Sequence, residues 1–201
     1  ERAWSLRGFE DLLMDLVAAP DSAHRLLERT AAFQRYAAVQ FARAGADIII
    51  TGDDVAGQQG LLLRRATWRA FLKPHLAATV EAVRQANPSA HVFYHSDGNV
   101  TPLIPDLIEI GIDILNPIQP ECMDPPSVKR AFGDRLAFWG SVSVQRTMPF
   151  GTPDEVRAEV RSRIRDMGAG GGFILSPAHV LGPEVPWENI VAFFDAADGP
   201  S

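Results

Sequence analysis

The chain has 201 residues, of which 46% are hydrophobic and 22% charged, so it is long enough to bury one sizeable core. Its net charge of -6 and its lack of Lys/Arg clusters argue against nucleic-acid and anionic-membrane partners, because both need a basic face. The single cysteine, Cys122, excludes an intramolecular disulfide, and no long apolar run or leader-like segment is visible. We therefore expect one domain over residues 1–201, in the reducing cytoplasm, acting on a small molecule.

Helix-like and strand-like segments alternate along the whole chain, which is typical of βα units around a parallel sheet. A short helical segment over 8–18 precedes a long helix that begins near Pro20, with Asp21 or Ser22 as its cap, and ends at Gly45. Five short apolar runs have the character of strands that are covered on both faces. They occupy residues 47–51, 91–94, 112–115, 136–139 and 172–175.

Local signals also predict where other helices begin and break. The helix expected over 67–86 contains Pro74, which predicts a kink or a break there. Residues 152–155 (Thr-Pro-Asp-Glu) have the pattern of a capping box at a helix start. The three glycines over 170–172 precede a strand instead of opening a helix, so we interpret them as a turn and not as a phosphate-binding loop.

Polar side chains follow all five predicted strands, at positions that the core does not need. In an open, doubly wound sheet only the switch point carries chemistry, whereas in a (β/α)8 barrel every strand end faces one mouth. The pattern therefore favours a (β/α)8 TIM barrel. A complete barrel needs eight strands and about 250 residues. Five strands, in a chain that begins at Glu1 and not at Met, lead us to expect the C-terminal five βα units of a longer protein.

The strand over 91–94 runs directly into His95, with Asp97 two residues later and Gly98 as a turn. Residues two apart in a strand point to the same side, so the imidazole and the carboxylate would share one space. That arrangement suits a metal ion or an acid–base pair. This strand end is the strongest indication of a functional site in the sequence.

The motifs at these strand ends resemble those of the uroporphyrinogen decarboxylase superfamily, in the same order and with the same gaps over nearly the whole chain. They occupy residues 52–54 (Gly-Asp-Asp), 93–98 (Phe-Tyr-His-Ser-Asp-Gly), 105–111, 113–117, 176–179 (Ser-Pro-Ala-His) and 186–189 (Pro-Trp-Glu-Asn). The resemblance implies a (β/α)8 barrel and one of two chemistries. One is porphyrinogen decarboxylation without a cofactor, and the other is zinc-dependent methyl transfer between corrinoid proteins and thiols or related acceptors.

Carried over residue by residue, the resemblance assigns a metal site. His95 and Asp97 match the zinc-binding His-x-Cys pair of the methyltransferases, with Asp97 in place of the cysteine. His179 matches both their late zinc-ligand cysteine and a histidine of the decarboxylases. We therefore expect His95, Asp97 and His179 to bind zinc or another divalent metal. Iron and manganese are included, because oxygen and nitrogen ligands make a harder site than thiolates.

Other polar residues of the strand ends have predicted catalytic or orienting roles. Asp53 and Asp54 are placed to hold a substrate cation or to ligate the metal, although carboxylates in such positions also cap loop backbones. Asn116 and Gln119 have the character of orienting groups, and Glu121 that of a further ligand. Turn chemistry beside the neighbouring prolines accounts for these three equally well.

The leading hypothesis is a methyltransferase that takes its methyl group from a corrinoid carried by a partner protein. The first alternative is a uroporphyrinogen decarboxylase of porphyrin and haem biosynthesis, in which His179 contacts the tetrapyrrole substrate and no metal binds. The alternative of another class is a non-catalytic tetrapyrrole or corrinoid binder. Because an incomplete barrel exposes sheet edges and part of its core, we expect a homo-oligomer or association with the missing N-terminal part.

Overall fold

The computed structural model describes residues 1–199 and contains a central sheet of parallel strands flanked by helices. The strands are β1 (Ile48–Gly52), β2 (Ala56–Gly57), β3 (Gly60–Leu61), β4 (His91–His95), β5 (Ile114–Asn116), β6 (Ala137–Val142) and β7 (Phe173–Pro177). The main sheet has the order β1-β4-β5-β6-β7, so each of its strands pairs with the next strand of that sheet along the chain. This is the strand order of a barrel sector.

Helices connect the strands of the main sheet. They are α1 (Arg2–Arg7), α2 (Phe9–Ala18), α3 (Pro20–Arg43), α4 (Arg65–Phe71), α5 (Lys73–Ala86), α6 (Ile104–Glu109), α7 (Pro125–Phe132), α8 (Thr147–Phe150), α9 (Pro153–Gly168) and α10 (Trp187–Asp198), with a 3-10 turn at Thr101–Leu103. None of the helices within residues 1–199 has the length and apolar character that a membrane span requires.

All five predicted strands are present, and each ends one to three residues later than the apolar pattern indicates. The reason is that polar residues continue the backbone ladder after the apolar run has finished. Gly52 pairs with His95, and His95 pairs with Asn116. His95 and Asn116 therefore project from regular strand backbone, which holds them more rigidly than a loop would, whereas Asp97 and His179 follow the ends of β4 and β7.

The two faces of the main sheet have different surroundings. Val92, Leu115 and Phe138 are fully buried on the outer face, among apolar side chains of the covering helices. Burial of each of these side chains contributes about 1.5–3 kcal/mol. The inner face carries Ile50, which is 70% exposed, and Ile174, which is 38% exposed. The outer face therefore supplies the core, while the inner face remains an open concave surface.

The cap predicted for the long helix is wrong. Helix α3 begins at Pro20 with Ala19 as its N-cap and no side-chain cap hydrogen bond, so Asp21 and Ser22 lie inside its first turn. It ends at Arg43, two residues before Gly45.

The other local predictions are confirmed. The helix expected over 67–86 is broken, because α4 ends at Phe71 and α5 begins at Lys73 with Pro74 in its first turn. The capping box at α9 is complete, since Thr152 and Glu155 bond each other's backbone N–H. The three glycines over 170–172 all have positive φ in the turn before β7.

One feature of the long loop after β1 was not predicted from the sequence. The strands β2 and β3 form a small antiparallel hairpin, in which Ala56 pairs with Leu61 and Gly57 with Gly60. Such short strands give no periodic pattern that could be recognised in the sequence. The hairpin lies against the turn after β4, where Asn99 donates its backbone N–H to the Gly57 carbonyl at 2.9 Å.

Candidate metal centre

The ends of β4 and β7 bring together the three residues expected to bind metal. One ligand atom from each of His95, Asp97 and His179 lies within 4.8 Å of the others. The distance from His95 Nε2 to Asp97 Oδ1 is 3.8 Å, and that from His179 Nε2 to Asp97 Oδ2 is 3.9 Å. Two metal–ligand bonds of about 2.1 Å span up to roughly 4.2 Å, so each histidine is close enough to share an ion with one oxygen of Asp97.

The neighbouring strand fixes the orientation of the His95 ring. His95 Nδ1 lies 2.6 Å from Asn116 Oδ1, and Asn116 donates its side-chain N–H to the Trp139 carbonyl at 2.8 Å. Since the amide nitrogen of Asn116 is committed as a donor, its Oδ1 is the acceptor, and His95 Nδ1 carries the hydrogen. The lone pair of Nε2 then faces the carboxylates of Asp97, at 3.8 Å, and of the neighbouring Asp54, at 3.6 Å, as in histidines that ligate metals.

Asp97 lies in surroundings that favour a cation. Its Oδ1 atom is buried and accepts no hydrogen bond. Burial raises the pKa of the Asp97 carboxyl, and the nearby Asp54 raises it further, while His95 and His179 act in the opposite direction. A buried, unpaired carboxylate oxygen is costly for the fold, and a bound metal ion would satisfy it. The donor set therefore fits a divalent metal.

The turn that carries Asp97 is held on both sides by side chains. Asp54 Oδ1 accepts the backbone N–H of Asp97 at 2.9 Å and lies 3.6 Å from His95 Nε2. Gln119 is buried, and its Oε1 accepts the backbone N–H of Gly98 at 2.6 Å. The predicted residues Asp54 and Gln119 thus contact the backbone of the turn, and their geometry is that of positioning groups.

Ser96 is a positioning residue that the sequence reasoning missed. It is fully buried between His95 and Asp97, and its Oγ accepts the backbone N–H of Val55 at 3.2 Å. The same hydroxyl donates to the Asp97 carbonyl at 3.1 Å. The sequence does place this serine between two predicted ligands, where its hydroxyl can form a hydrogen bond between the strand end and the neighbouring loop.

Two other predicted residues are directed to different partners. Asp53 donates its backbone N–H to the His95 carbonyl at 3.0 Å. Glu121 accepts a hydrogen bond from the hydroxyl of Ser143, in the loop after β6. Neither carboxylate belongs to the cluster of His95, Asp97 and His179.

A cationic group that could have faced the centre is committed elsewhere. Arg65, from the end of the long loop, bonds Asp106 at 2.7 Å, and Arg69 and Lys73 bond the same carboxylate at 2.8 Å each. Burial by itself would raise the pKa of Asp106, but the hydrogen bonds from these three cations lower it to about 2. This cluster ties α4 and α5 to α6.

Comparison with known proteins agrees with these motifs. The family model described as uroporphyrinogen decarboxylase (URO-D) matches residues 3–199. The methylcobamide:CoM methyltransferase MtaA of Methanosarcina barkeri is 27% identical over 203 residues, which cover 96% of this chain and 56% of that protein. The uroporphyrinogen decarboxylase of Chlorobium luteolum is 27% identical over 175 residues, which cover 85% of this chain and 47% of that protein.

Structural comparison identifies the same fold. A methyltransferase structure from Methanosarcina mazei matches with a TM-score of 0.80 at 25% identity, covering 98% of this chain and 55% of that one. The chain thus spans about half the length of the curated relatives it matches, and its five βα units form part of a (β/α)8 barrel of this type. Since the family match extends from residue 3 to residue 199, the chain belongs to the uroporphyrinogen decarboxylase (URO-D) family.

Proposed function

We propose that this protein is a metal-dependent enzyme that transfers a methyl group from a methyl-corrinoid, carried by a partner protein, to a thiol or similar acceptor. The cluster of His95, Asp97 and His179 carries this proposal, because it combines three ligand atoms within 4.8 Å with a buried carboxylate oxygen that has no partner. The likeness to a methylcobamide:CoM methyltransferase supports the choice of donor.

When bound, a divalent ion would lower the pKa of the acceptor thiol and supply its anion near neutral pH. In the transfer, the sulfur forms a bond to the methyl carbon. The cobalt–carbon bond breaks with its electron pair left on cobalt, and the thiol proton passes to solvent. His179 is 47% exposed in its side chain, so the two substrates would reach the centre from this side.

The residues around the centre would keep it ready for this chemistry. Asn116 holds the proton of His95 on Nδ1 and thereby leaves Nε2 as a ligand atom. Asp54 and Gln119 hold the backbone of the turn over 97–98, so the Asp97 carboxylate has little freedom to move away. Such a rigid surrounding shell limits the reorganisation that metal binding would require.

The same centre separates this proposal from the decarboxylase alternative, which the likeness to the enzyme of Chlorobium luteolum supports. A decarboxylase of the predicted kind would use His179 without a metal. In the methyltransferase proposal, His179 is one of three ligands and depends on His95 and Asp97. Metal content therefore discriminates between the two functions before any substrate is known.

The test is elemental analysis of the purified protein, together with the loss of methylcobalamin in the presence of thiols. We expect about one zinc, iron or manganese per chain, and loss of both metal and methyl transfer in Asp97→Ala. Asp134→Ala is the matched control, because Asp134 is 76% exposed in its side chain and its nearby charge is Arg135, outside the centre. A protein without stoichiometric metal, or an Asp97→Ala variant that retains it, would refute the proposal.

A further inference from the structure

The hairpin formed by β2 and β3 reaches across the sheet to the loop after β6. Its two turn residues are Gln58 and Gln59, and Gln58 Nε2 donates a hydrogen bond to Gln145 Oε1 at 2.7 Å. The hairpin follows β1, which lies three strands away from β6 in the sheet. At about 4.8 Å per strand this separation is roughly 14 Å, so the hairpin extends past the ends of β4 and β5.

The base of the hairpin is bonded at consecutive positions to the turn that carries Asp97. Asp54 Oδ1 accepts the backbone N–H of Asp97 at 2.9 Å. Further along, the Gly57 carbonyl accepts the backbone N–H of Asn99, also at 2.9 Å. The hydrogen bond of the Ser96 hydroxyl to the same segment lies between these two contacts. Because the two segments are joined along their length, a displacement of the hairpin would also displace Asp97.

The loop that carries Gln145 is itself held in place. Ser143 is buried, and its backbone N–H donates to Glu159 on α9 at 3.2 Å. The hydroxyl and the carbonyl of Ser143 accept the backbone N–H groups of Arg146 and Met148, each at 3.0 Å. Gln145 lies between these bonded residues, so it offers the hairpin tip a fixed partner.

We infer that Gln58 and Gln145 are positioning residues of the metal centre, and that their hydrogen bond is a latch that holds the hairpin against the Asp97 turn. This inference rests on the proposed function, because the latch serves the centre only if Asp97 binds a metal ion. Both glutamines are exposed and lie outside the ligand cluster, so their effect on the metal is indirect. A turn that is held before the metal arrives needs less reorganisation to bind it.

The first arm of the test measures the mobility of the turn in the metal-free protein. Hydrogen exchange followed by NMR reports on the amides of Asp97 and Asn99, which are bonded to the hairpin segment. In Gln145→Ala we expect both amides to exchange about threefold faster or more, because the turn opens more often. Gln59→Ala is the matched control, since Gln59 is exposed in the same turn while Gln58 makes the bond to Gln145. Equal exchange rates in the two variants would overturn the inference.

Charge pairs at the two positions give the second arm, with zinc affinity as the readout. Gln58→Glu combined with Gln145→Glu places two repelling carboxylates at the hairpin tip, and we expect zinc to bind about fivefold more weakly. Added negative charge would by itself attract a cation, so weaker binding cannot arise from the charges alone. Gln58→Lys combined with Gln145→Glu restores an attractive pair and should restore the affinity of the parent.

The outcomes separate the latch from the proposed function. A parent protein that binds no zinc refutes the proposed function, and faster exchange in Gln145→Ala would then still support the latch as a constraint on the turn. A parent that binds zinc, with an affinity that is the same in both charge pairs, overturns the inference and leaves the proposed function intact. If the pair of glutamates does not fold, the exchange rates and the zinc affinity of Gln145→Ala decide, and an unchanged affinity overturns the inference.

Discussion

The Nδ1 atom of His95 lies 2.6 Å from Oδ1 of Asn116, and this contact determines which ring nitrogen faces the metal centre. Asn116 can serve only as the acceptor, because its amide nitrogen donates to the Trp139 carbonyl. In Asn116→Ala the ring would lose both its fixed tautomer and its fixed orientation. We expect zinc affinity to fall about 10- to 100-fold, measured by competition with a chromophoric chelator.

Asn87→Ala is the control for this measurement, because Asn87 lies at the end of α5, before β4 begins. Its affinity for zinc should equal that of the unaltered chain. If Asn116→Ala binds zinc as tightly as the control, the contact does not orient the ligand.

The Asp97 carboxylate should lower the free energy of unfolding of the metal-free protein. Burial raises its pKa, and one of its oxygens has no hydrogen-bond partner. Because the folded state disfavours the charged form, the cost is present at pH 7 and disappears as the pH falls and the group becomes protonated. We expect Asp97→Asn to raise the free energy of unfolding of the metal-free chain by about 1 kcal/mol, at the low end for a buried unpaired acceptor.

The same substitution should remove metal binding, because a neutral amide is a much weaker ligand than a carboxylate. Chemical denaturation after treatment with a chelator measures the change in stability, and elemental analysis measures the loss of metal. An Asp97→Asn variant that is less stable than the metal-free parent would mean that the carboxylate has a structural partner. Asp97→Cys should bind zinc more tightly than the parent, since thiolate is the softer ligand.

Gly98 is the point at which the ligand turn touches the hairpin after β1. Its φ is +82°, and a Cβ added there would lie 2.5 Å from the Ala56 carbonyl oxygen. Gly98→Ala therefore combines an unfavourable backbone conformation with a backbone clash, and we expect it to lower the free energy of unfolding by more than about 2 kcal/mol. It should also displace Asp97 and weaken zinc binding.

The variant Gly45→Ala distinguishes the cost of the backbone conformation from the cost of the backbone clash. Gly45 also has a positive φ, of +89°, but nothing lies within 4 Å of its added Cβ. This variant should lose only about 1 kcal/mol and retain its zinc affinity. If the two alanine variants are equally stable in urea, contact with the hairpin does not constrain the ligand turn.

The residues alone predict the barrel sector and a common edge for its polar strand ends, while the resemblance to the family selects His95, Asp97 and His179 among them. Strand ends in a parallel α/β sheet lie at a common edge, so residues after separate apolar runs, such as His95 and His179, are brought together by topology alone. The contacts that orient them were not predictable in the same way. Whether Asn116 bonds His95, or Gln119 bonds the turn at Gly98, depends on side-chain rotamers and on strand register, which hydrophobic periodicity does not specify.

Exposed apolar side chains at both ends of the sheet predict self-association of this chain. Ile50 on β1 is 70% exposed, Phe41 on α3 is 64% exposed, and Trp187 on α10 is 71% exposed. Phe41 and Ile50 line one groove, and contiguous exposed apolar groups of this kind mark association surfaces. We expect light scattering to detect dimers or larger species whose proportion rises with concentration.

The double substitution Phe41→Lys and Trp187→Lys should shift this equilibrium towards the monomer, because a charge at each surface opposes its burial. Phe150→Lys serves as the control, since Phe150 is even more exposed, at 79%, but lies in the short helix α8. A chain that remains monomeric at submillimolar concentration would show that these surfaces do not associate.

The buried carboxylate of Asp106 should make stability depend on pH in the acid range. Lys73, Arg69 and Arg65 hold its pKa at about 2, below the ordinary value, although burial alone would raise it. A group with a lowered folded-state pKa contributes stability that is complete above its unfolded pKa, and this stability is lost as the pH falls through the folded pKa. With its pKa lowered to this extent, the Asp106 carboxylate contributes about 2 kcal/mol to the free energy of unfolding at pH 7.

Asp106→Asn should therefore be less stable than the parent by at least that amount at pH 7, because three cations would then converge on a neutral group. The difference should narrow between about pH 4 and pH 2, where the parent carboxylate also becomes protonated. Urea unfolding at several pH values, with Asp134→Asn as an exposed control, measures this narrowing. A difference that is constant over the acid range would show that packing, and not the charge of Asp106, stabilises the junction of α4, α5 and α6.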